Sequence, residues 1–247
     1  MKYSILVLSL AISLAISFVS NASVIETSFG SSDGVKFYGD ATYNTGEVVL
    51  TESSENKRGG ITLGELQSSD SLSNWNAQFD FSISEIFRGG ADGIAFGVMR
   101  DDAVFDQWRF AGEEGIASGL AIGYDSYDNN EGSANHISVR YDGALLTQIS
   151  LNSFGINLKS DTFFTSDVDF NNGLLDVSLN GSQIISDFAI SGWSAFDGQF
   201  YMSARTGYSA SRQAVSGITI NTVDVPEPQT FLLLVLSLAG MVYRKRR

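Results

Sequence analysis

A chain of 247 residues, 43% of them hydrophobic, is long enough to bury the core of one ordinary all-β domain. Its 15 basic residues face 28 acidic ones, a formal net charge of −13, and a surface of that sign repels phosphate backbones and argues against nucleic acid as a partner. It has no cysteine, which excludes thiol catalysis, zinc–thiolate sites and disulfides and leaves stability to the core and to any bound ions.

Met1 to Ala22 has the form of a secretory signal peptide. Lys2 supplies the positive start, and Ile5 to Val19 is apolar except for Ser9, Ser13 and Ser17. Ser20-Asn21-Ala22 ends on the small residue that a signal peptidase requires. The apolar run is shorter than the ~20 residues of a membrane span, which favours cleavage over a retained anchor.

The stretch 23–224 contains no long linker, charge run, heptad or internal repeat. Its dominant pattern is period-two alternation, which sends one face of a strand into a core and the other into water. Phe79, Phe81 and Ile83 alternate, as do Ile94, Phe96 and Val98, then Ile137, Val139 and Tyr141. The pattern continues with Leu175, Val177 and Leu179, then Phe200, Met202 and Ala204, then Ile218 and Ile220. Asp142-Gly143, Asn172-Gly173 and Asn180-Gly181 supply the positive φ angles of tight hairpin turns. With 25 glycines and only 2 prolines, the segment reads as a sandwich or barrel of short strands. Removal of Lys2 and Arg244 to Arg247 from the count leaves ten basic against 28 acidic residues, so 23–228 carries about −18.

Both prolines fall in Val225-Pro226-Glu227-Pro228. An apolar run from Phe231 to Tyr243 follows, and Arg244-Lys245-Arg246-Arg247 ends the chain. A short apolar plug before a basic stop is a membrane-engaging device whose charge stays on the cytoplasmic side. The order of the three parts resembles the PEP-CTERM sorting signal of Gram-negative bacteria. That resemblance implies transient association with the inner membrane, recognition by an exosortase-type enzyme, cleavage near Pro226–Pro228 and delivery to the cell surface or extracellular matrix.

Three segments of the middle go beyond generic β pattern: Gly90-Ala91-Asp92-Gly93-Ile94-Ala95-Phe96; Gly119 to Asn129 with Asn135-His136-Ile137; and Phe200 to Gly207. Together with Phe37-Tyr38-Gly39-Asp40-Ala41 and Val48-Val49-Leu50-Thr51, they resemble the L-type (legume-type) lectin domain over nearly all of 24–224. The resemblance implies an all-β jelly-roll sandwich, of concanavalin-like lectin/glucanase architecture, with a sugar site over a calcium ion. In that family the acid of the Ala-Asp-Gly stretch, here Asp92, commonly follows a cis peptide and accepts hydrogen bonds from sugar hydroxyls. Asp125 would ligate calcium, Asn129 would serve calcium and sugar, and Tyr127 would give calcium its carbonyl and stack on the sugar. Gly112 or Gly115 would offer a backbone N–H to the ligand, and Tyr208 falls in the family's specificity loop.

The residue types suit this chemistry. Calcium takes hard oxygens from carboxylate, amide and carbonyl, and Asp125, Tyr127 and Asn129 alternate toward one side of an extended segment. An aromatic face beside polar acceptors suits a pyranose. The chain departs from the family at Gly123, where a Glu usually helps Asp and a later His bind a transition metal. That set is incomplete here, so a second metal is doubtful. Glu131 is the candidate for a further calcium acid, and His136, the chain's one histidine, is either a ligand or a structural residue at a strand start.

Two rivals remain. A glycoside hydrolase needs paired carboxylates, but Asp125, Asp128 and Glu131 are spaced by three, and the adjacent Glu113 and Glu114 point apart in a strand. No enzyme is therefore expected. A structural or matrix protein on the same scaffold is the other rival, since fold does not fix function. The favoured expectation is an exported binder of glycans or exopolysaccharide.

Overall fold

Alternating apolar residues become strands and the Asx-Gly dipeptides become the turns between them. A computed structural model describes residues 22–29, 34–68, 72–103, 112–130 and 132–223. The expected signal peptide and sorting tail lie outside these residues, apart from Ala22, which opens the first strand. Glu131 also lies outside them.

Among the described residues the first strands are β1 (Ala22–Thr27), β2 (Val35–Gly39), β3 (Thr42–Asn44), β4 (Glu47–Thr51), β5 (Arg58–Gln67), β6 (Asn74–Phe87) and β7 (Gly93–Arg100). The chain continues through β8 (Leu120–Asp125), β9 (His136–Tyr141), β10 (Ala144–Ser150), β11 (Phe164–Asn171), β12 (Leu174–Leu179), β13 (Ser182–Ala189), β14 (Gly198–Arg205) and β15 (Ala210–Val223). Two antiparallel sheets result. The back sheet runs β13-β12-β11-β6-β15-β4-β3, with β1 also on β15; the front sheet runs β10-β9-β8-β7-β14-β5-β2. Asp142-Gly143 joins β9 to β10, Asn172-Gly173 joins β11 to β12, and Asn180-Gly181 joins β12 to β13, each with positive φ at both residues. That is the backbone twist a two-residue hairpin needs.

Every residue of the six alternating sets lies in one buried core between the sheets. Its centre is aromatic. Phe79 of the back sheet meets Phe96 of the front sheet at 4.9 Å between centroids, and Trp75 meets Phe200 edge-on at 5.3 Å. The Tyr124 hydroxyl crosses the core to Ser166 Oγ at 2.5 Å, which satisfies a polar group that would otherwise be costly to bury. The result is a jelly-roll sandwich of the expected class.

The alternation is not followed by a wet outer face everywhere. On the back sheet β11 does alternate buried and accessible residues. On the front sheet β8 is buried on both faces and β7 on all but its last residue. The cause is the turn at Gly112–Glu114 with Ile116, which covers an outer face reduced to Ala95, Gly97, Ala121 and Gly123. The Ile116 N–H donates to the Tyr201 hydroxyl at 2.8 Å and pins this cover down.

A transverse row of residues crosses the end of the front sheet. His136 lies opposite Asp125, Asp125 opposite Gly93, Gly93 opposite Arg205, and Arg205 opposite Arg58. Directly opposed residues share a face, so the four side chains project together from the sheet's outer side.

Because Phe96 is fully buried at the centre of the aromatic core, Phe96→Ala should lower the unfolding free energy of a fragment spanning 22–223 by ~3–5 kcal/mol. Urea titration followed by intrinsic fluorescence measures this, and an unchanged midpoint would refute a core shared by both sheets.

Candidate functional site

Asp92 sits in the loop between β6 and β7, after positive-φ residues at Arg88, Gly89 and Gly90, and follows a cis Ala91–Asp92 peptide. Its backbone is tied on both sides. Its N–H donates to the Arg205 carbonyl at 3.0 Å, and its carbonyl accepts from Ser126 N at 2.9 Å and Ser126 Oγ at 2.6 Å. Buried Gln213 of β15 donates to the carbonyls of Ala91 and Arg205, each at 2.9 Å, and so joins this loop to the back sheet.

The Asp92 carboxylate is held by two donors. Arg205 Nε reaches Oδ2 at 3.0 Å, and the Asn129 side-chain amide also hydrogen-bonds the carboxylate. Burial raises the Asp92 pKa above the ordinary carboxylate value, while Arg205 and Asn129 pull it down. The other side of the guanidinium goes to Glu113, with Arg205 Nη2 at 2.6 Å from Oε1. Glu113 is 1% exposed, and its second oxygen has no hydrogen-bond partner. Burial pushes its pKa from an ordinary 4.5 to about 7, against the pull of Arg205. Glu113 and Glu114 do diverge, but on a 3-10 turn rather than a strand. Glu114 pairs with Arg140 at 3.0 Å.

Glycines make room for this arrangement. A Cβ at Gly93 would stand 2.9 Å from Glu113 Cβ, and one at Gly123 would collide with the Glu113 carbonyl. Gly123 is therefore a space requirement: the turn carrying Glu113 lies where a β8 side chain would be. A Cβ at Gly112 would collide with the Arg205 side chain, and the Gly112 carbonyl accepts from Ser203 Oγ at 2.8 Å.

Asp125 and His136 are both buried, with His136 Nε2 at 3.8 Å from Asp125 Oδ2. His136 Nδ1 lies 2.8 Å from the Ser133 carbonyl, so the ring is fixed at the strand start. Asp125 Oδ1 accepts the Tyr127 N–H at 2.7 Å, which turns the chain so that Tyr127 is half-buried and Asn129 exposed. Lys159 Nζ donates to the carbonyls of Gly89 at 2.6 Å and Gly90 at 3.2 Å and lies 5.7 Å from the Tyr127 ring centre. No group of three or more His, Asp or Glu among the described residues is gathered as a metal cluster.

These elements border a cavity of about 370 Å³, lined by Asn56, Arg58, Ala91, Asp92, Tyr127, Asn129 and the stretch 205–209. Four of the sequence candidates, Asp92, Tyr127, Asn129 and Tyr208, thus line one cavity. Gly112 lies against Arg205 instead, and Asp125 and His136 lie along the sheet row. Arg205, Arg58 and Glu113 were not among the candidates. The only trace of Arg205 in the sequence was its place in the segment Phe200 to Gly207.

The legume-like lectin family model matches residues 17–148, more than half of the chain. The chain belongs to this family. A second model, the PEP-CTERM protein-sorting motif, matches residues 224–247 of this legume-like lectin. No curated protein matches it in sequence. Among solved structures, the VIP36 exoplasmic/lumenal domain in its Ca2+/Man-bound form is 20% identical, with a TM-score of 0.64 over 84% of this chain and 91% of that one. Basic winged bean lectin with Tn-antigen aligns at TM-score 0.68 and 15% identity over 84% of this chain and 100% of its own. Peanut lectin with a 9mer peptide aligns at 0.67 and 15% over 82% and 97%. These likenesses establish the lectin fold.

The raised pKa of Glu113 has a signed consequence. The stability it contributes is fully present below about pH 4.5 and is lost as pH rises through about 7. Between those values the natural chain should lose up to ~1.4 kcal/mol per pH unit more than Glu113→Gln. Denaturation midpoints of both chains across this window measure the difference; parallel curves would rule out a buried, titrating Glu113.

Proposed function

We propose that the legume-like lectin domain binds carbohydrate in the cavity at Asp92 and that calcium assists it. The observation that carries this reading is the convergence of Asp92, Asn129, Tyr127 and Tyr208, from three separate loops, on one cavity. A held carboxylate and an amide can exchange hydrogen bonds with sugar hydroxyls, and the two tyrosines offer ring faces to C–H groups. Tyr208 is 69% exposed, so its ring is accessible. Gly112 would act through the backbone of its turn.

The donors near the cavity suit calcium in kind. Asp125 would supply a carboxylate, Tyr127 a carbonyl and Asn129 its amide oxygen, with Glu131 and the neighbouring His136 completing or bordering the set. Asn129 donates its amide N–H to Asp92, which leaves the oxygen for a cation. The Ca2+-bound forms of the VIP36 domain support the same choice of ion. For a transition metal, the cover over Gly123 leaves no room for the missing Glu.

Binding is better supported than hydrolysis. Two carboxylates must flank a glycosidic bond for hydrolysis, yet Asp92 is the carboxylate in the cavity lining, and Glu113 is sealed against Arg205. The sorting motif supports export from a Gram-negative cell, tail processing by an exosortase-type enzyme and display at the cell surface or in the matrix. Glycans or exopolysaccharide are the ligands available there, and repeated display supplies avidity to a weak site.

A glycan array probed with residues 22–223, in calcium and in chelator, tests the reading. Calcium-dependent binding is expected, with Asp92→Asn lowering it at least about tenfold, ~1.4 kcal/mol, in a variant whose circular dichroism spectrum shows the native fold. Asp125→Ala should lose both calcium and sugar. Equal binding by the natural chain and Asp92→Asn would sink the assignment.

A further inference from the structure

We propose that Glu113 regulates the carbohydrate site: when ionised, it takes one arm of the Arg205 guanidinium and so keeps an oxygen of Asp92 open to a sugar hydroxyl. The proposal rests on the carbohydrate-binding reading and adds a positioning residue and a pH dependence to it.

The geometry that carries it is a divided fork. The Nε and Nη2 groups of an arginine lie side by side and together match both oxygens of one carboxylate. In Arg205 they go to different acids: Nε donates to Asp92 Oδ2 at 3.0 Å, and Nη2 donates to Glu113 Oε1 at 2.6 Å. The guanidinium therefore holds Asp92 through Oδ2, and the carboxylate keeps acceptor capacity for Asn129 and for a ligand in the cavity it lines. A protonated Glu113 holds Nη2 less strongly, because the bond no longer joins two ions. The fork can then close on both Asp92 oxygens, and the guanidinium takes the place that a sugar hydroxyl needs.

The setting of Glu113 suits a switch better than a brace. It lies outside the cavity lining and is buried, yet its Oε2 has no hydrogen-bond partner. An ion placed for stability alone would have both oxygens bonded, since a half-satisfied buried carboxylate is costly. Burial also brings its ionisation to about pH 7. The turn that carries it packs on β7, β8 and β14. Arg205 of β14 is its partner, and Asp92, the acid that shares the fork, repels it. The other charged groups of these strands are engaged elsewhere. Arg100 pairs with Asp142 at the far end of β7, and Asp125 of β8 accepts the Tyr127 N–H and lies beside His136. On the turn itself Glu114 pairs with Arg140 of β9, and Arg58 of β5 stands beyond Arg205 in the sheet row.

The test is the glycan array, read with the intact chain in excess calcium at pH 6 and at pH 8. The natural chain should bind at least about threefold more strongly at pH 8, where Glu113 is ionised. Glu113→Gln, a neutral residue of the same shape, should stay at the natural chain's pH 6 level at both values, with a native circular dichroism spectrum. It retains Asp92, Asp125 and His136, so a pH step owed to any of these would persist in it. Arg205→Lys keeps a cation but has no fork to close; it should likewise lose the step, and it serves where Glu113→Gln does not fold. Equal binding by the natural chain at both values, or a folded variant that rises in parallel with it, overturns the proposal. If Asp92→Asn still loses binding in that case, the sugar site stands without the switch. Silence of the natural chain across the array at both values removes the site and the proposal together.

Discussion

Arg205 is the constraint around which the site is built. Its guanidinium is the shared partner of two mostly buried carboxylates, Asp92 from the β6–β7 loop and Glu113 from the turn over the front sheet. Removal of the cation would leave Glu113 buried without its partner, driving it to the protonated form, and would take from Asp92 one of the two donors that hold it. The local glycines answer to the same constraint. Gly93 and Gly123 clear the sheet so that Glu113 can lie down, and Gly112 lets the turn pass close to the arginine stem. A side chain at Gly123 would collide with the turn that carries Glu113, one at Gly112 with the arginine stem itself, and one at Gly93 with both Glu113 and the Tyr124 carbonyl of the neighbouring strand.

The same residue joins layers that the chain order keeps apart. The Arg205 carbonyl accepts from both Asp92 N and Gln213 Nε2, so β14, the β6–β7 loop and the back sheet meet at one peptide. Gln213 belongs to β15, which spans the back sheet beside β6. The position of Asp92 therefore depends on the register of both sheets. This is why the sandwich core, though remote from the cavity, sets the cavity's shape.

The parts of this design were unequally legible. Strands, hairpins and core were readable from a two-residue period and from Asx-Gly turns, both of which act over a few neighbouring residues. Asp92, Tyr127 and Asn129 were legible through short motifs. Arg205 and Arg58 were not, because their meeting depends on pairing between β5 and β14, which are distant in the chain. Gly123 shows the limit most clearly. Read along the chain it is a ligand position without a ligand, whereas in the fold it is space filled by the Glu113 carbonyl. The wet outer face expected of β7 and β8 failed for the same reason: the covering turn comes from a segment whose sequence does not announce where it will lie.

Asp92 and the Asp125–Asn129 segment differ in how they are secured, and the difference bears on what an ion can do. Asp92 is fixed by backbone bonds to β14 and Ser126 and by the Arg205 guanidinium, none of which involves a metal. Tyr127 and Asn129 are fixed by the Asp125–Tyr127 turn and by the bond from Asn129 to Asp92, and Asn129 is otherwise exposed. In the proposed site, then, calcium would order the tyrosine and the amide but not the carboxylate. Arg205 already performs for Asp92 the service a cation performs elsewhere: it neutralises a buried acid and holds its oxygens in one direction. The half of the cavity at Asp92 is thus tied to the sheet, and in the proposed site the half that calcium would order is the loop after β8.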